Sequence, residues 1–238
     1  MRRKSRIIIL IIVSVCFVIA AGCESVGGEG DGTGLSWLTV GDRVIGEIEA
    51  RYFLYSSAHV MRTHLPYIGW GDVIDGIPVP DYIKNEAVSA MKLYYVTHLK
   101  ADELSVGLAA EQTAVLDMWR DSYIDHFGDE DAFMAFLEDE GITDEMFTYF
   151  NETTLLRANI KESLFGEDGS MRASTEQLIA YAADNGRQNG IIDFESFRDA
   201  HAEEELGKLF EQWSEDVAVT ISDQFKNIDV KELYENFR

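Results

Sequence analysis

Two strand-like segments lie near opposite ends of a chain whose pattern is otherwise mostly helical. Leu38-Thr39-Val40 reads as a short strand, Gly41-Asp42 as a turn and Val44-Ile45 as the return of that strand. Val217–Ile221 is the only strand-like alternation in the second half. A lone strand cannot satisfy its own backbone N–H and C=O groups, so the two segments are expected to pair. The sequence therefore predicts a mainly α fold, closed by a small two-stranded sheet that joins the N- and C-terminal segments.

Helical patterns fill most of the chain between these strands. A long amphipathic helix is predicted from about Glu47 to His64 and a second from Asp81 to Leu104. The stretch from Leu65 to Pro80 carries all three prolines and is predicted to be a loop. Later helix starts are indicated by the acidic run at Asp129 and by two capping pairs, Ser174 with Gln177 and Asp229 with Glu232.

The first 23 residues have the organisation of an export signal. Arg2, Arg3, Lys4 and Arg6 precede an apolar run of 15 residues from Ile7 to Ala21. That run is shorter than the roughly 20 residues that a bilayer-spanning helix needs. Ile19-Ala20-Ala21-Gly22-Cys23 resembles the lipobox of bacterial lipoproteins, in which the cysteine is acylated, for example with palmitate, and becomes the mature N-terminus. The alternative is an uncleaved membrane anchor.

Cysteine content fits this interpretation. Cys16 lies within residues 1–22 and would leave with the signal peptide, so the mature chain would hold only Cys23. An acylated Cys23 cannot form a disulfide. We therefore expect lipidation at Cys23, a lipid anchor in the cell membrane and a protein body on the extracytoplasmic face.

The mature chain is strongly acidic. The full chain has a formal charge of −23, and residues 1–22 contain four cations and no acid, so their removal changes the charge to −27. Such a surface repels phosphate backbones, which argues against a nucleic-acid partner. Residues 23–36 comprise the cysteine and a Gly-, Ser- and acid-rich tether with a reach of about 20 Å, and residues 37–238 are expected to form one helical domain.

Residues that could carry catalysis or bind a metal form no recognisable site. His59 and His64 are five positions apart on a predicted helix, so they face different sides. The acidic runs lack the ligand spacing of a calcium loop. No serine elbow, zinc-protease motif or phosphate loop occurs. The sequence predicts no catalytic residues, no metal and no cofactor.

The loop from Leu65 to Pro80 is unusually rich in large apolar side chains. It either packs over the core or presents an apolar surface. If it is exposed, its aromatic rings offer large contact area to extended apolar segments of unfolded polypeptides. Its candidate client-contact residues are Tyr67, Ile68, Trp70, Val73 and Ile77.

An ordered series of segments resembles the SurA/PrsA group of extracytoplasmic foldases. Val40-Gly41-Asp42-Arg43-Val44-Ile45 before a long helix is similar to their opening, and Pro80–Ala87 to their second helix. Ala101–Leu108 and Phe133–Phe147, with Gly141-Ile142-Thr143, resemble the next segments, and Leu164–Tyr181 completes the match. The resemblance implies a SurA N-terminal-like helical chaperone domain.

The chain departs from this pattern after Tyr181. Full-length members carry a parvulin prolyl isomerase domain there, which opens with a His-Ile-Leu motif that this sequence lacks. Only 52 residues remain from Arg187 to Arg238. A separate domain typically has on the order of 100 residues. The remaining residues resemble the segment that closes the chaperone domain, so the isomerase is expected to be missing.

Together these features predict a lipoprotein chaperone. It would bind unfolded or newly exported proteins without ATP, and it would not be an enzyme. The alternatives are a structural or adaptor lipoprotein that docks one dedicated envelope partner, and a prolyl isomerase with a reduced site.

Overall fold

The structure is a computed structural model that describes residues 36–184 and 194–237. Residues 1–35, with the predicted signal peptide, Cys23 and nearly all of the tether, lie outside the described residues. The helices in the described part are α1 (Glu47–His64), α2 (Val79–Glu103), α3 (Ala110–Phe127), α4 (Glu130–Asp139), α5 (Asp144–Phe165), α6 (Thr175–Asp184), α7 (Phe194–Glu215), α8 (Asp223–Asn227) and α9 (Val230–Asn236). The strands are β1 (Leu38–Val40), β2 (Arg43–Ile45), β3 (Val73–Ile74), β4 (Ile77–Pro78) and β5 (Val219–Ile221). The fold is mainly helical with a small antiparallel sheet, as predicted.

The predicted pairing of the two ends of the domain is present. β1 runs antiparallel to β5, with Thr39 opposite Thr220. Two further hydrogen bonds extend the ladder, from Gly41 N to Ala218 O at 2.9 Å and from Ser222 N to Trp37 O at 3.0 Å. Within the described residues, the last strand therefore lies beside the first.

The sheet has three strands, not the two of the predicted closure. β2 pairs with the other edge of β1, which gives the order β2-β1-β5. The turn between β1 and β2 depends on Gly41, whose φ of +60° favours glycine. A Cβ atom there would also lie 2.2 Å from the ring of Tyr95. The return at Val44-Ile45 is confirmed by the pairing of β2 with β1, and the predicted closure was wrong only in leaving this strand out of the sheet.

Several helix boundaries were predictable from local sequence signals. α1 has its predicted bounds, and α2 begins two residues before the predicted Asp81 because Pro80 is tolerated in the first turn of a helix. Ser174 and Gln177 cap α6 reciprocally, since each backbone N–H donates to the other's side chain. Asp229 accepts from Glu232 N at 3.0 Å, and Asp129 accepts from Ala132 N at 2.9 Å. The two predicted capping pairs are confirmed, and α4 begins at the acidic run as predicted, with Asp129 as its N-cap.

Contacts between residues divide the described chain into two compact units, and both are discontinuous in sequence. The first contains residues 36–95, Met118–Tyr149 and 217–237; the second contains Val96–Asp117, 150–184 and 194–216. Helices α2, α3 and α5 contribute residues to both units. The assignment of residues 37–238 to one domain stays a prediction.

Each unit has its own buried apolar core. Fully buried side chains of the first unit come from the sheet, α1, α2, α4 and α8: Leu38, Val40, Ile45, Leu54, Ile83, Phe133 and Phe225. In the second unit they come from α5, α6 and α7: Ile160, Leu178 and Leu206. The C-terminal strand and helices thus supply core residues to the same unit as the N-terminal hairpin.

Candidate functional site

The second half of the apolar loop between α1 and α2 is a short β-hairpin. β3 and β4 are joined by Asp75-Gly76, and both turn residues have positive φ, 52° and 84°. Positive φ at both central residues is typical of the turn that matches strand twist, and Asp-Gly is a preferred pair for it. The sequence carries this Asp-Gly signal, which the loop prediction overlooked.

The register of the hairpin explains which of its side chains are exposed. Val73 lies opposite Pro78, and Ile74 lies opposite Ile77. Opposed residues of an antiparallel pair share one face, so the two pairs face opposite ways. Val73 and Pro78 are exposed, whereas Ile74 and Ile77 are half-buried. The hairpin therefore presents one apolar face outward.

The five candidate residues of the loop fall into two groups. Tyr67 is 79% exposed and Val73 is 62% exposed. Ile68, Trp70 and Ile77 are half-buried. The loop was expected either to pack over the core or to present an apolar surface. Tyr67 and Val73 are at the surface, and the other three side chains are partly packed. We call Tyr67 and Val73 together with Pro78 the loop surface.

Hydrogen bonds hold the loop in place. The Arg62 guanidinium donates to the carbonyl of Ile68 and lies 5.8 Å from the centre of the Trp70 ring. Gly69 N donates to the Asp72 carboxylate at 2.7 Å, and Val79 N donates to Asp72 O at 3.0 Å. The exposed rings and methyl groups are thus presented on a fixed backbone, which lowers the entropy lost on binding.

The C-terminal helix covers Trp70. The ring of Tyr234 on α9 lies 5.7 Å from that of Trp70 and 5.6 Å from that of Tyr55 on α1. Phe237 stacks on Tyr55 at 4.2 Å, with the two ring planes 7° apart. Tertiary contacts across the whole chain create this aromatic cluster, and sequence reasoning missed it. The cluster packs against Trp70 of the loop, whereas Tyr67 remains exposed.

The surroundings of the loop surface are acidic. Asp72, Asp75 and Asp81 are exposed, and residues 65–83 contain no Lys or Arg. Burial, then the nearby charges of Glu86 and Asp75, raise the pKa of Tyr82. Burial also raises the pKa of Glu86. Exposed carboxylates therefore lie directly before Val73 and at the tip of its hairpin.

A second aromatic surface lies in the same unit and was also missed. No residue of α3 is buried, although Trp119, Tyr123 and Phe127 recur at every fourth position. Phe127 stacks on Phe136 of α4 at 4.4 Å, and Tyr123 packs edge-on against Phe147 at 5.4 Å. The spacing of four along α3 is the sequence signal that marks this half-buried face.

A buried ion pair and a histidine hydrogen bond lie outside the loop. Glu49 is buried and forms an ion pair with Arg43 at 2.5 Å, and the Arg43 guanidinium lies 4.2 Å from the centre of the Tyr149 ring. Burial raises the pKa of Tyr149 to about 12, with Arg43 acting in the opposite direction, so the phenol stays protonated at neutral pH. His98 shares a hydrogen bond of 2.8 Å with Thr153 Oγ1.

Among residues 36–184 and 194–237, no group of three or more His, Cys, Asp or Glu side chains is placed to hold a metal ion. No helix there combines the length and the apolar character required to cross a bilayer. His59 lies 6.0 Å from the ring of Tyr55, and His201 packs edge-on against Tyr181.

Two open hollows occur in the second unit. One, of about 400 Å³, is lined by Lys161, Arg198 and Asp199 among others, and the other, of about 510 Å³, by Gln112 and Asn159 among others. Lys161 is paired with Asp199 at 2.8 Å and with Glu203 at 2.9 Å, and the amide groups of Gln112 and Asn159 bond to each other. These polar side chains connect helices through ion pairs and hydrogen bonds.

No protein-family model matches this chain, and neither a curated protein nor a solved structure does. The resemblance to SurA/PrsA foldases therefore stays a prediction from the sequence. The loop surface, its acidic surroundings and its aromatic support are the features from which a function can be argued.

Proposed function

We propose that the chain is a membrane-anchored extracytoplasmic chaperone, which holds unfolded or newly exported polypeptides without ATP. The observation that carries the proposal is the loop surface. Val73 lies on the β3–β4 hairpin and Tyr67 in the hydrogen-bonded segment before it, and both side chains are exposed instead of joining the core. Exposed apolar groups mark interaction sites where they form one contiguous patch, and Val73 and Pro78 lie side by side on the exposed face of the hairpin.

The size of the loop surface favours transient binding. Burying one tyrosine ring and one valine removes roughly 250 Å² from water, worth about 6 kcal/mol at 25 cal/mol per Å². Association costs on the order of 4–15 kcal/mol in lost freedom. Stable complexes bury about 800 Å² per partner. The loop surface alone therefore supports weak contacts that are quickly released, as a holding chaperone needs and a permanent adaptor does not.

We also propose that the helical body is a SurA N-terminal-like chaperone domain that lacks the parvulin insert. The pairing of β1 with β5 supports this, because it makes the two ends of the domain one structural element. The described residues 194–237 consist of α7, β5, α8 and α9. Their strand joins the N-terminal hairpin, whereas the reduced-isomerase alternative required a separate mixed α/β unit in Arg187–Arg238.

An aggregation assay tests the chaperone proposal. The soluble form from Glu24 to Arg238, which includes every described residue, should slow aggregation of an unfolded model protein at near-stoichiometric ratios. Light scattering follows the reaction. The double variant Tyr67→Ser with Val73→Ser should lose most of this effect, because it removes the exposed apolar groups without touching the core.

A matched control exists in the same unit. Val44 on β2 is 62% exposed, the same fraction as Val73, and Ile48 on α1 is also exposed. The double variant Val44→Ser with Ile48→Ser should suppress aggregation as well as the parent chain does. Failure of the folded parent chain to suppress aggregation would refute the holding activity, and equal loss in both variants would refute the role of the loop surface.

A further inference from the structure

We infer that the loop surface selects polypeptide segments in which Lys or Arg residues lie among apolar ones. This inference rests on the proposed function and specifies the chemistry of the client. The apolar groups of the loop surface give affinity, and the carboxylates around them set the charge that a client must carry.

The carboxylates are close to the exposed apolar groups. Asp72 precedes Val73 directly, and Asp75 lies at the tip of the same hairpin. Asp72 uses one carboxylate oxygen to accept from Gly69 N, and its side chain remains exposed. Asp75 lies near enough to Tyr82 to disfavour its ionised form. A segment that covers Val73 must therefore approach at least two negative charges.

The cations nearest to these carboxylates in the sequence are engaged in other contacts. Arg62 donates to the carbonyl of Ile68 and lies against Trp70. Lys84 Nζ donates to the carbonyl of Lys226 at 2.6 Å. Since residues 65–83 contain no Lys or Arg, the hairpin brings no positive charge of its own. Arg62 and Lys84 keep their charge, because their carbonyl partners are neutral, but both lie outside residues 65–83, in which Asp72, Asp75 and Asp81 are exposed.

Both short-range and long-range electrostatics then favour a basic client. A guanidinium or ammonium group can stack on the exposed face of Tyr67 while its neighbours pair with Asp72 or Asp75. A mature chain with a formal charge of −27 also attracts basic segments from a distance of about a Debye length, roughly 8 Å at physiological salt. Acidic segments of equal apolar content are repelled.

Two matched peptides test the inference by fluorescence anisotropy. Both are unstructured and have the same apolar residues, but one carries Lys and Arg where the other carries Asp and Glu. At low ionic strength the basic peptide should bind the Glu24–Arg238 form at least about five-fold more tightly. The difference should shrink towards two-fold or less in molar salt, where the Debye length falls to roughly 3 Å.

Two pairs of neutral substitutions locate the preference. In Asp72→Asn with Asp75→Asn, the asparagine amides can still accept from Gly69 N and still occupy the Asn-Gly type of turn. This variant should lose most of the preference for the basic peptide. Glu111→Gln with Asp117→Asn removes two exposed carboxylates in the second unit and should retain it.

The outcomes separate this inference from the proposal beneath it. Equal binding of the two peptides, or equal loss of preference in both variants, would overturn the selection for basic segments and leave the chaperone proposal standing. Binding of neither peptide by a folded chain that also fails in the aggregation assay would overturn both.

Discussion

Replacing Phe225 with alanine should destabilise the first unit by about 3–5 kcal/mol, which is the range for a buried phenylalanine truncated to alanine. Phe225 lies on α8, directly after β5, and is 1% exposed. The total stability of a domain is on the order of 5–15 kcal/mol. The loss should therefore lower the urea midpoint by roughly 1–2 M.

Urea denaturation followed by far-UV circular dichroism measures this effect. Phe194→Ala is the matched control, since it makes the same change at a side chain that is 37% exposed on α7. Its midpoint should stay close to that of the parent chain. Similar small shifts in both variants would mean that the C-terminal segment is not part of the core, which would contradict closure of the fold by β5 and α8.

Replacing Cys23 with alanine should move the full-length chain from the membrane fraction to the soluble fraction. Each buried CH₂ of an acyl chain contributes about 0.8 kcal/mol, and stable anchoring takes two such chains or an equivalent second signal. The acidic body of the protein offers anionic headgroups no attraction in compensation. Cys23 lies outside the described residues, so this prediction rests on the sequence of residues 19–23.

Fractionation combined with mass spectrometry of the mature N-terminus provides the measurement. The parent chain should carry acyl groups on an N-terminal Cys23, and Cys23→Ala should carry none. Cys16→Ala changes the other cysteine of the chain, which lies in the predicted signal peptide, and should leave both lipidation and fractionation unaltered. An unacylated parent chain, or a Cys23→Ala variant with unchanged fractionation, would count against the lipobox.

Sequence reasoning predicted best the features that are determined by residues close together in the chain. The bounds of α1, from Glu47 to His64, were predictable from its apolar repeat. The cap of α6 was predictable from Ser174 and Gln177, which are three residues apart. The pairing of β1 with β5 is long-range, yet it was predictable because few other strand signals compete for either partner.

The support beneath the loop could not be predicted in the same way. Tyr234 is far in sequence from both Tyr55 and Trp70, and it meets them because α9 packs on α1. No periodicity in one segment reports such a cluster. A ring therefore cannot be assigned to the surface or to the interior before its distant neighbours are known, which is why Trp70 and Tyr67 were grouped together although they differ in burial.

The aromatic face of α3 shows a different limit. Trp119, Tyr123 and Phe127 follow a clear repeat, and such a repeat ordinarily indicates a buried stripe. In the structure no residue of α3 is buried. The repeat specifies that the three rings share a face, but burial depends on how many neighbouring elements cover that face.

Site-specific photo-crosslinking from position 67 in the full-length chain tests the chaperone account most directly. A photoreactive amino acid at position 67, compared with one at position 44, reports what contacts the loop surface in the cell envelope. The account predicts many unrelated exported polypeptides at position 67 and few at position 44. A single crosslinked partner at position 67 would identify an adaptor, and equal yields at the two positions would contradict a client site on the loop surface.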